Sequence, residues 1–424
     1  MKTKTACTAA LIVGLSLLHL PRAFAQGSLT PPPGPPAPTM KSLQEIWDKI
    51  DALETRAAAL ETQNTLLQSA NSQLVRQVGL LAASTVNFAW VVSTVAPGRE
   101  PSLAFGPNGQ PAIAFTTGGP QIRFAQFDGT TWIVDDVPGA QGDSPSLAFG
   151  LDGYPAIAYS GPSARLHFAR FDGTSWSVTM VAATGQAGYT PSLAFGPDGL
   201  PGIASQHGFG ATNSLKYAAF TGSEWSFITV AAGDVGSYPS LAFGPDGQPA
   251  ISFRVWPAPY NNGLVKLARL NAGVWTATTA ANDQTSSSGL PTSLAFGPDG
   301  QPAIAFRNQV SQRLYVTRYS GSVSTPVTVT AGNTTSTLSL AFGPDGQPTL
   351  AYCSPAIDLL FARYTGSLDG PAWVSTVADS AGEAGYNPSL AFGPDGQPAI
   401  AYWEIDSSFT AYIKFARKGV FKPL

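Results

Sequence analysis

Two hydrophobic periods divide the chain. Between Ser42 and Leu81 apolar residues return every seven positions, at Ile46, Leu53, Leu60, Leu67, Leu74 and Leu81, with a second series at Leu43, Ile50, Ala57, Asn64, Asn71 and Val78. These are the d and a positions of a coiled coil, and Ser42 with Glu45 forms a capping box that starts its helix. Lys49 and Arg56 at g precede Glu54 and Glu61 at the following e, pairs that attract across a parallel interface. Asn64 and Asn71 weaken the seam but set its register. The spacing predicts a parallel dimer or trimer, with a helix of about 60 Å at 1.5 Å per residue. A helix folded back on its own domain is the plainer alternative, yet six d positions in a row exceed what one-sided burial requires.

From about Asn87 the period becomes that of short strands. The phrase "SLAF" begins at Ser102, Ser146, Ser192, Ser240, Ser293, Ser339 and Ser389, in steps of 44 to 53 residues. One unit, residues 146–181, reads "SLAF", "GLDGY", "PAIAY", a loop, "LHFARF", "DGTS" and "WSVTMV". Runs of β-branched and aromatic residues alternate with Gly, Pro and Asp, which predicts four strands, a to d, joined by tight corners. That period matches a four-stranded propeller blade. A Trp opens the d strand at Trp90, Trp132, Trp176, Trp225, Trp275 and Trp373, and "STPVTVT" near Val327 takes the remaining place. The first d strand, "FAWVVSTV", precedes the first "SLAF", whereas the last unit ends after its c strand at "YIKFARKG". The fold class expected is therefore all-β: a seven-bladed β-propeller in which the N-terminal strand completes the last blade, preceded by an α-helical coiled-coil stalk.

The units resemble those of secreted bacterial proteins built from tandem "SLAFGPDGQPAI" and "LKYA" phrases followed by a Gly-x-x-Trp-like turn, over roughly the last 340 residues. The resemblance implies a propeller and export, and it implies no reaction. Many such proteins follow the b strand with a Tyr-Tyr-Asp tail, where this chain has "AFTT", "AYSG" and "AYWE".

Residues 1–25 read as a signal peptide, with Lys2 and Lys4 before an apolar stretch and "AFA" before Gln26. Residues 26–39 are a Pro-rich linker, 40–83 the oligomerisation helix and 84–424 the propeller. No later apolar run suffices for a transmembrane segment. The expected location is exported: periplasmic, cell-surface or extracellular. Cys7 leaves with the signal, so Cys353 stays alone and excludes an intrachain disulfide. With 12% charged residues and a net charge of -3, the chain offers no basic field for nucleic acid.

Candidate chemistry is sparse. The "GPDG" corners bring one carboxylate each, with Asn108 in the first, which suits a turn better than a calcium site needing about six oxygens. The "FDGTSW" turns are too short for a sialidase-type Asp-box. Arg170, Arg269, Arg318, Arg363 and Arg417 share one c-strand position, held by Gln126 and Ala219 elsewhere, and read as a solvated edge or an inter-blade pair. His167 and His207 lack metal-like spacing, so neither a metal nor a cofactor is expected.

The a–b and c–d corners fall on one face and are nearly uniform; the b–c and d–a loops fall on the other and vary. Loops that vary on a fixed frame commonly carry function. Ligand-binding candidates on that variable face are His207, Phe209, Arg254, Trp256, Tyr260, Arg307, Trp403, Glu404 and Asp406, with Tyr189, Tyr238 and Tyr386 at d–a positions. Aromatic platforms beside polar groups suit sugar or peptide recognition. The plainer reading is that they plug the blade tops. The function expected is a non-enzymatic binding or adhesion protein, lectin-like, that displays propellers multivalently to a glycan or surface protein. The alternatives are a carbohydrate-active hydrolase with a central-channel site and a structural surface protein.

Overall fold

The computed structural model describes residues 47–56, 63, 89–182, 188–208, 213–233, 238–255, 263–282, 291–308, 310–319, 321, 325–330, 334, 337–366 and 372–419. The chain divides into two units, Met1–Leu74 and Val75–Leu424. In the first, residues 47–56 are helical and Leu53, a d position of the heptads, is 66% exposed. The signal peptide, the Pro-rich linker and the rest of the heptads lie outside the described residues. No helix among the described residues is long and apolar enough to cross a membrane.

The second unit is a seven-bladed β-propeller: seven four-stranded antiparallel sheets, each ordered a-b-c-d. Blade 7 takes a, b and c from Glu383–Phe392, Pro398–Ile405 and Ala411–Lys418, and its d strand from Trp90–Pro97 at the other end of the unit. Trp90 pairs with Lys418 and Pro97 with Tyr412, so the N-terminal strand covers what would be an open edge.

Burial explains the sequence signature strand by strand. A b strand such as Pro111–Thr116 is buried at every position because blades cover both of its faces, hence the continuous apolar "PAIAF". The c strands are buried less completely, and the d strands expose most of their side chains. The a strands carry the bond that links the blades. Ser102 Oγ accepts the Leu147 amide at 2.9 Å, and Ser146, Ser192, Ser240, Ser293 and Ser339 each repeat this with the Leu of the next blade at 2.9–3.0 Å. Ser389 accepts from Leu103 at 2.9 Å, which returns the series to blade 1.

The outer rim has its own repeat. The d-strand Trp packs edge-on against a c-strand aromatic of the preceding blade: Trp176 on Phe124, Trp225 on Phe168, Trp275 on Tyr217, Trp132 on Phe415 and Trp90 on Phe361, at 5.1–5.4 Å between centroids. In blade 5, which lacks the Trp, the d strand shrinks to Val327–Thr328.

Deleting residues 89–97 should remove the partner of Ala411–Lys418 together with Trp90. We expect the single cooperative unfolding transition to broaden or split, measured by circular dichroism during heating. A transition as sharp and as high as that of the intact chain would show that the N-terminal strand is not what closes the ring.

Candidate functional site

On the variable face, the last seam-facing residue of the b strand differs from blade to blade: Thr116, Ser160, Gln206, Arg254, Arg307, Cys353 and Trp403. Several of them reach into the following blade. Arg254 is 1% exposed and donates from Nη2 to the Arg307 carbonyl at 2.7 Å; Arg307 donates from Nε to the Thr334 carbonyl at 2.8 Å. Burial, then the neighbouring Arg307 charge, pulls Arg254 down to about 9, and burial also lowers Arg307. Trp403 lies within 5.3 Å of the Arg99 guanidinium and stacks on Tyr386 at 4.4 Å with the rings 22° apart. These side chains fill the tops of the seams.

The other candidates are placed as follows. Tyr386 donates to Glu383 Oε2 at 3.1 Å, and burial followed by that carboxylate raises its pKa. Glu404 pairs with Lys414 at 2.7 Å, both largely buried. Asp406 caps its hairpin, accepting from the Ser408 and Thr410 amides at 2.9 and 2.8 Å. His207 lies beside Ser205 Oγ at 3.2 Å and edge-on to Phe227. Tyr189 is half-buried opposite Gln206, while Tyr238 is 41% exposed at φ +49°. Phe209, Trp256 and Tyr260 lie outside the described residues. The structure thus brings Tyr386 and Trp403 together in blade 7, and Arg254 and Arg307 across the seam between blades 4 and 5, while Glu404 pairs with Lys414 and the other described candidates lie apart.

The corner face is built from a second repeated device. In every corner the Asp, or Asn108 in the first, accepts the amide two residues on at 3.0–3.2 Å, and the following Gly adopts φ of +74° to +84°. Where an arginine is present, the carboxylate also holds this c-strand residue of its own blade. Arg269–Asp246, Arg318–Asp299 and Arg417–Asp395 pair at 2.5–2.7 Å, and Arg170–Asp152 and Arg363–Asp345 do the same. The guanidinium also lies over the "SLAF" Phe of the next blade, Arg170 over Phe195, Arg269 over Phe296, Arg318 over Phe342 and Arg417 over Phe105, at 5.1–5.3 Å. Arg170, Arg269, Arg318 and Arg417 therefore clamp their seams, at about 0.5–2 kcal/mol for the ring contact and at most about 1 for the half-exposed ion pair.

Blade 1 lacks the clamp. Gln126 stands for Arg and Asn108 for Asp, and the seam between blades 1 and 2 opens as a pocket of about 550 Å³. Its walls are aromatic, with Phe124, Phe127, Phe149, Tyr154, Phe171 and Trp176. Tyr154 itself takes a corner position filled by Gln in blades 1, 4, 5, 6 and 7. The ring contacts Tyr154–Phe171, Phe171–Trp176 and Phe124–Trp176, at 5.4–6.1 Å, make this a continuous framework. The polar lining is Asn108, Gln110, Gln126, Asp128 and Asp135. Gln110 Oε1 is buried with no hydrogen-bond partner. Asp128 accepts the Thr130 and Thr131 amides at 2.7 and 2.8 Å and the Thr130 hydroxyl at 2.7 Å, and these bonds hold its carboxylate down to about 2.

No side chain of this pocket was among the candidates drawn from the sequence. The available signal was that Asn108, Gln126 and Tyr154 each depart from the repeat. Among the described residues no cluster of His, Cys, Asp and Glu could hold a metal ion.

Burial, and then the charge of Lys216, pulls His207 down to about 4, below its ordinary 6.5. Protonation therefore favours the unfolded chain, and stability present above about pH 6.5 is lost as pH falls toward 4. Urea unfolding at pH 7 and pH 5 should show this loss in the parent chain and a smaller one in His207→Gln. An equal loss in both would place the titration elsewhere.

No family model matches the chain, and no curated protein does. Among solved structures it is similar to catalytically inactive virginiamycin B lyase from Staphylococcus aureus with quinupristin, with a TM-score of 0.52 and 14% identity over 77% of this chain and 99% of that one. A protein of unknown function from Dyadobacter fermentans gives a TM-score of 0.50 and 13% identity over 78% of this chain and 98% of that one. A fucose-specific lectin from Aleuria aurantia gives 0.48 and 15% over 66% and 97%. At such identities the likeness to the first two extends to the propeller fold alone.

Proposed function

We propose that this chain is an exported binding protein of the lectin kind, which takes saccharides in the propeller and presents several propellers on a coiled-coil stalk. The observation that carries the reading is the pocket in the first seam. Its volume of about 550 Å³ falls within the roughly 300–1,000 Å³ of small-molecule sites, and it joins apolar walls to a few convergent polar groups. Aromatic faces receive the C–H surface of a pyranose ring, and side-chain amides match paired hydroxyls because each offers both a donor and an acceptor.

The lining suits binding better than glycoside hydrolysis. A hydrolase requires one carboxyl to donate a proton near neutral pH, which takes an apolar enclosure, whereas Asp128 is locked in its turn and held ionised and Asp135 lies exposed to water. The exposed Leu53 supports the stalk, since a d position left in water gains by pairing with further copies of the chain. Joining weak sites in this way can raise avidity by about 10²–10⁴.

A glycan array probed with the full mature chain tests the proposal. We expect retention of at least one saccharide without turnover, and binding about tenfold weaker in Tyr154→Gln, which restores the residue of most other corners and folds as the parent does. Absence of binding across the array, or release of hydrolysis products from a bound glycan, would overturn the reading.

A further inference from the structure

The exchanges that open the first seam also set its charge. In a clamped seam the guanidinium occupies the mouth, its charge matched by the corner Asp and its face set on the next blade's Phe. In the first seam both partners are replaced by neutral amides, so Phe149 is left as pocket wall where a cation would lie. Blade 3 also lacks the arginine, at Ala219. There, however, Gln248 and Leu270 occupy the positions of Tyr154 and Phe171, and Tyr217 replaces Phe124 with its hydroxyl directed at the strand beneath Gly202. Loss of the clamp and gain of an aromatic frame coincide in the first seam.

What remains in that lining is two carboxylates, three amides and no cation. Nearby guanidiniums are already committed, Arg170 to Asp152 and the Tyr154 carbonyl, and Arg123 to Asp136. An anionic sugar brought into such a site would lose water without gaining a positive partner and would face Asp128 and Asp135. A neutral sugar meets no such cost. Its hydroxyls can donate to the exposed carboxylate of Asp135 and pair with the side-chain amide of Gln126.

Resting on the reading of this pocket as a saccharide site, we infer that the Asn108–Gln126 exchange creates a site for neutral pyranosides and rejects their anionic counterparts. The two amides are thus specificity determinants of blade 1, in a place where the repeat otherwise builds a closed seam.

The test is titration calorimetry of the full chain with the methyl glycosides of glucose, galactose and mannose and with the methyl glycosides of the matching uronic acids, which differ only at the sixth carbon. We expect the neutral member of a bound pair to bind at least about tenfold more tightly than its uronate. The double substitution N108D/Q126R should abolish binding with the thermal transition unchanged or raised, because the same pair already serves five other blades. Asp135 is exposed, so Asp135→Lys should fold normally and shrink the discrimination against uronates. Preference for uronates, full binding by N108D/Q126R, or unchanged discrimination in Asp135→Lys would each overturn the inference while leaving a saccharide-binding propeller in place. Failure of both this panel and the wider array to yield any ligand would remove the saccharide reading itself, and the inference with it.

Discussion

One hydrogen bond, made seven times, sets the terms for the rest of the molecule: the Ser Oγ of each inner strand accepts the Leu amide of the next. Each such bond adds only about 0.5–1.5 kcal/mol. Their arrangement matters more than their sum, because the bond from Leu103 to Ser389 makes the series circular and leaves no terminal blade. Closure in turn demands that the last blade be complete, which is why the chain's first strand lies beside Ala411–Lys418. Ser, Leu and Phe of the "SLAF" phrase vary little because each has a duty: Ser bonds forward, Leu is buried, and Phe105, Phe195, Phe296 and Phe342 receive the previous blade's arginine.

With the inner circle fixed, the seams can differ only toward their two ends. On the variable face they are filled by whatever side chain ends the b strand, from Thr116 to Arg254 and Trp403. On the corner face a standard closure, the Arg–Asp clamp, is repeated wherever both residues are present. A pocket then needs no new loop. It requires only that the closure be omitted and that the exposed ring surface be kept usable, as Gln126, Asn108 and Tyr154 do between blades 1 and 2.

The fold was legible in the sequence because propeller geometry converts spacing directly into architecture. The "SLAF" steps counted the blades, and the offset between the first d strand and the last c strand exposed the closure. The corner Asp was legible as a turn residue but not as the arginine's partner. Arg170 and Asp152 meet only after three strands have paired, with Arg170 opposite Ala156 and the corner folded back beside it. For the same reason the variability of the loops drew attention to the other face, away from this pocket. Asn108, Gln126 and Tyr154 are visible as exceptions, yet they are scattered over two units, and only the sheet register brings them to one cavity. Arg254 and Arg307 stood out as polar groups beside the aromatics of the variable face; their backbone partners, the carbonyls of Arg307 and Thr334, come from distant parts of the chain and could not be read from spacing.

Residue-resolved amide hydrogen exchange on the full chain tests the closed circle most directly. If the ring has no weak junction, the Leu103 amide exchanges with the same opening free energy as those of Leu147, Leu193, Leu241, Leu294, Leu340 and Leu390, all at the value for global unfolding. A Leu103 amide that exchanges through a local opening, well ahead of the other six, would show that blades 7 and 1 are not joined as the remaining blades are.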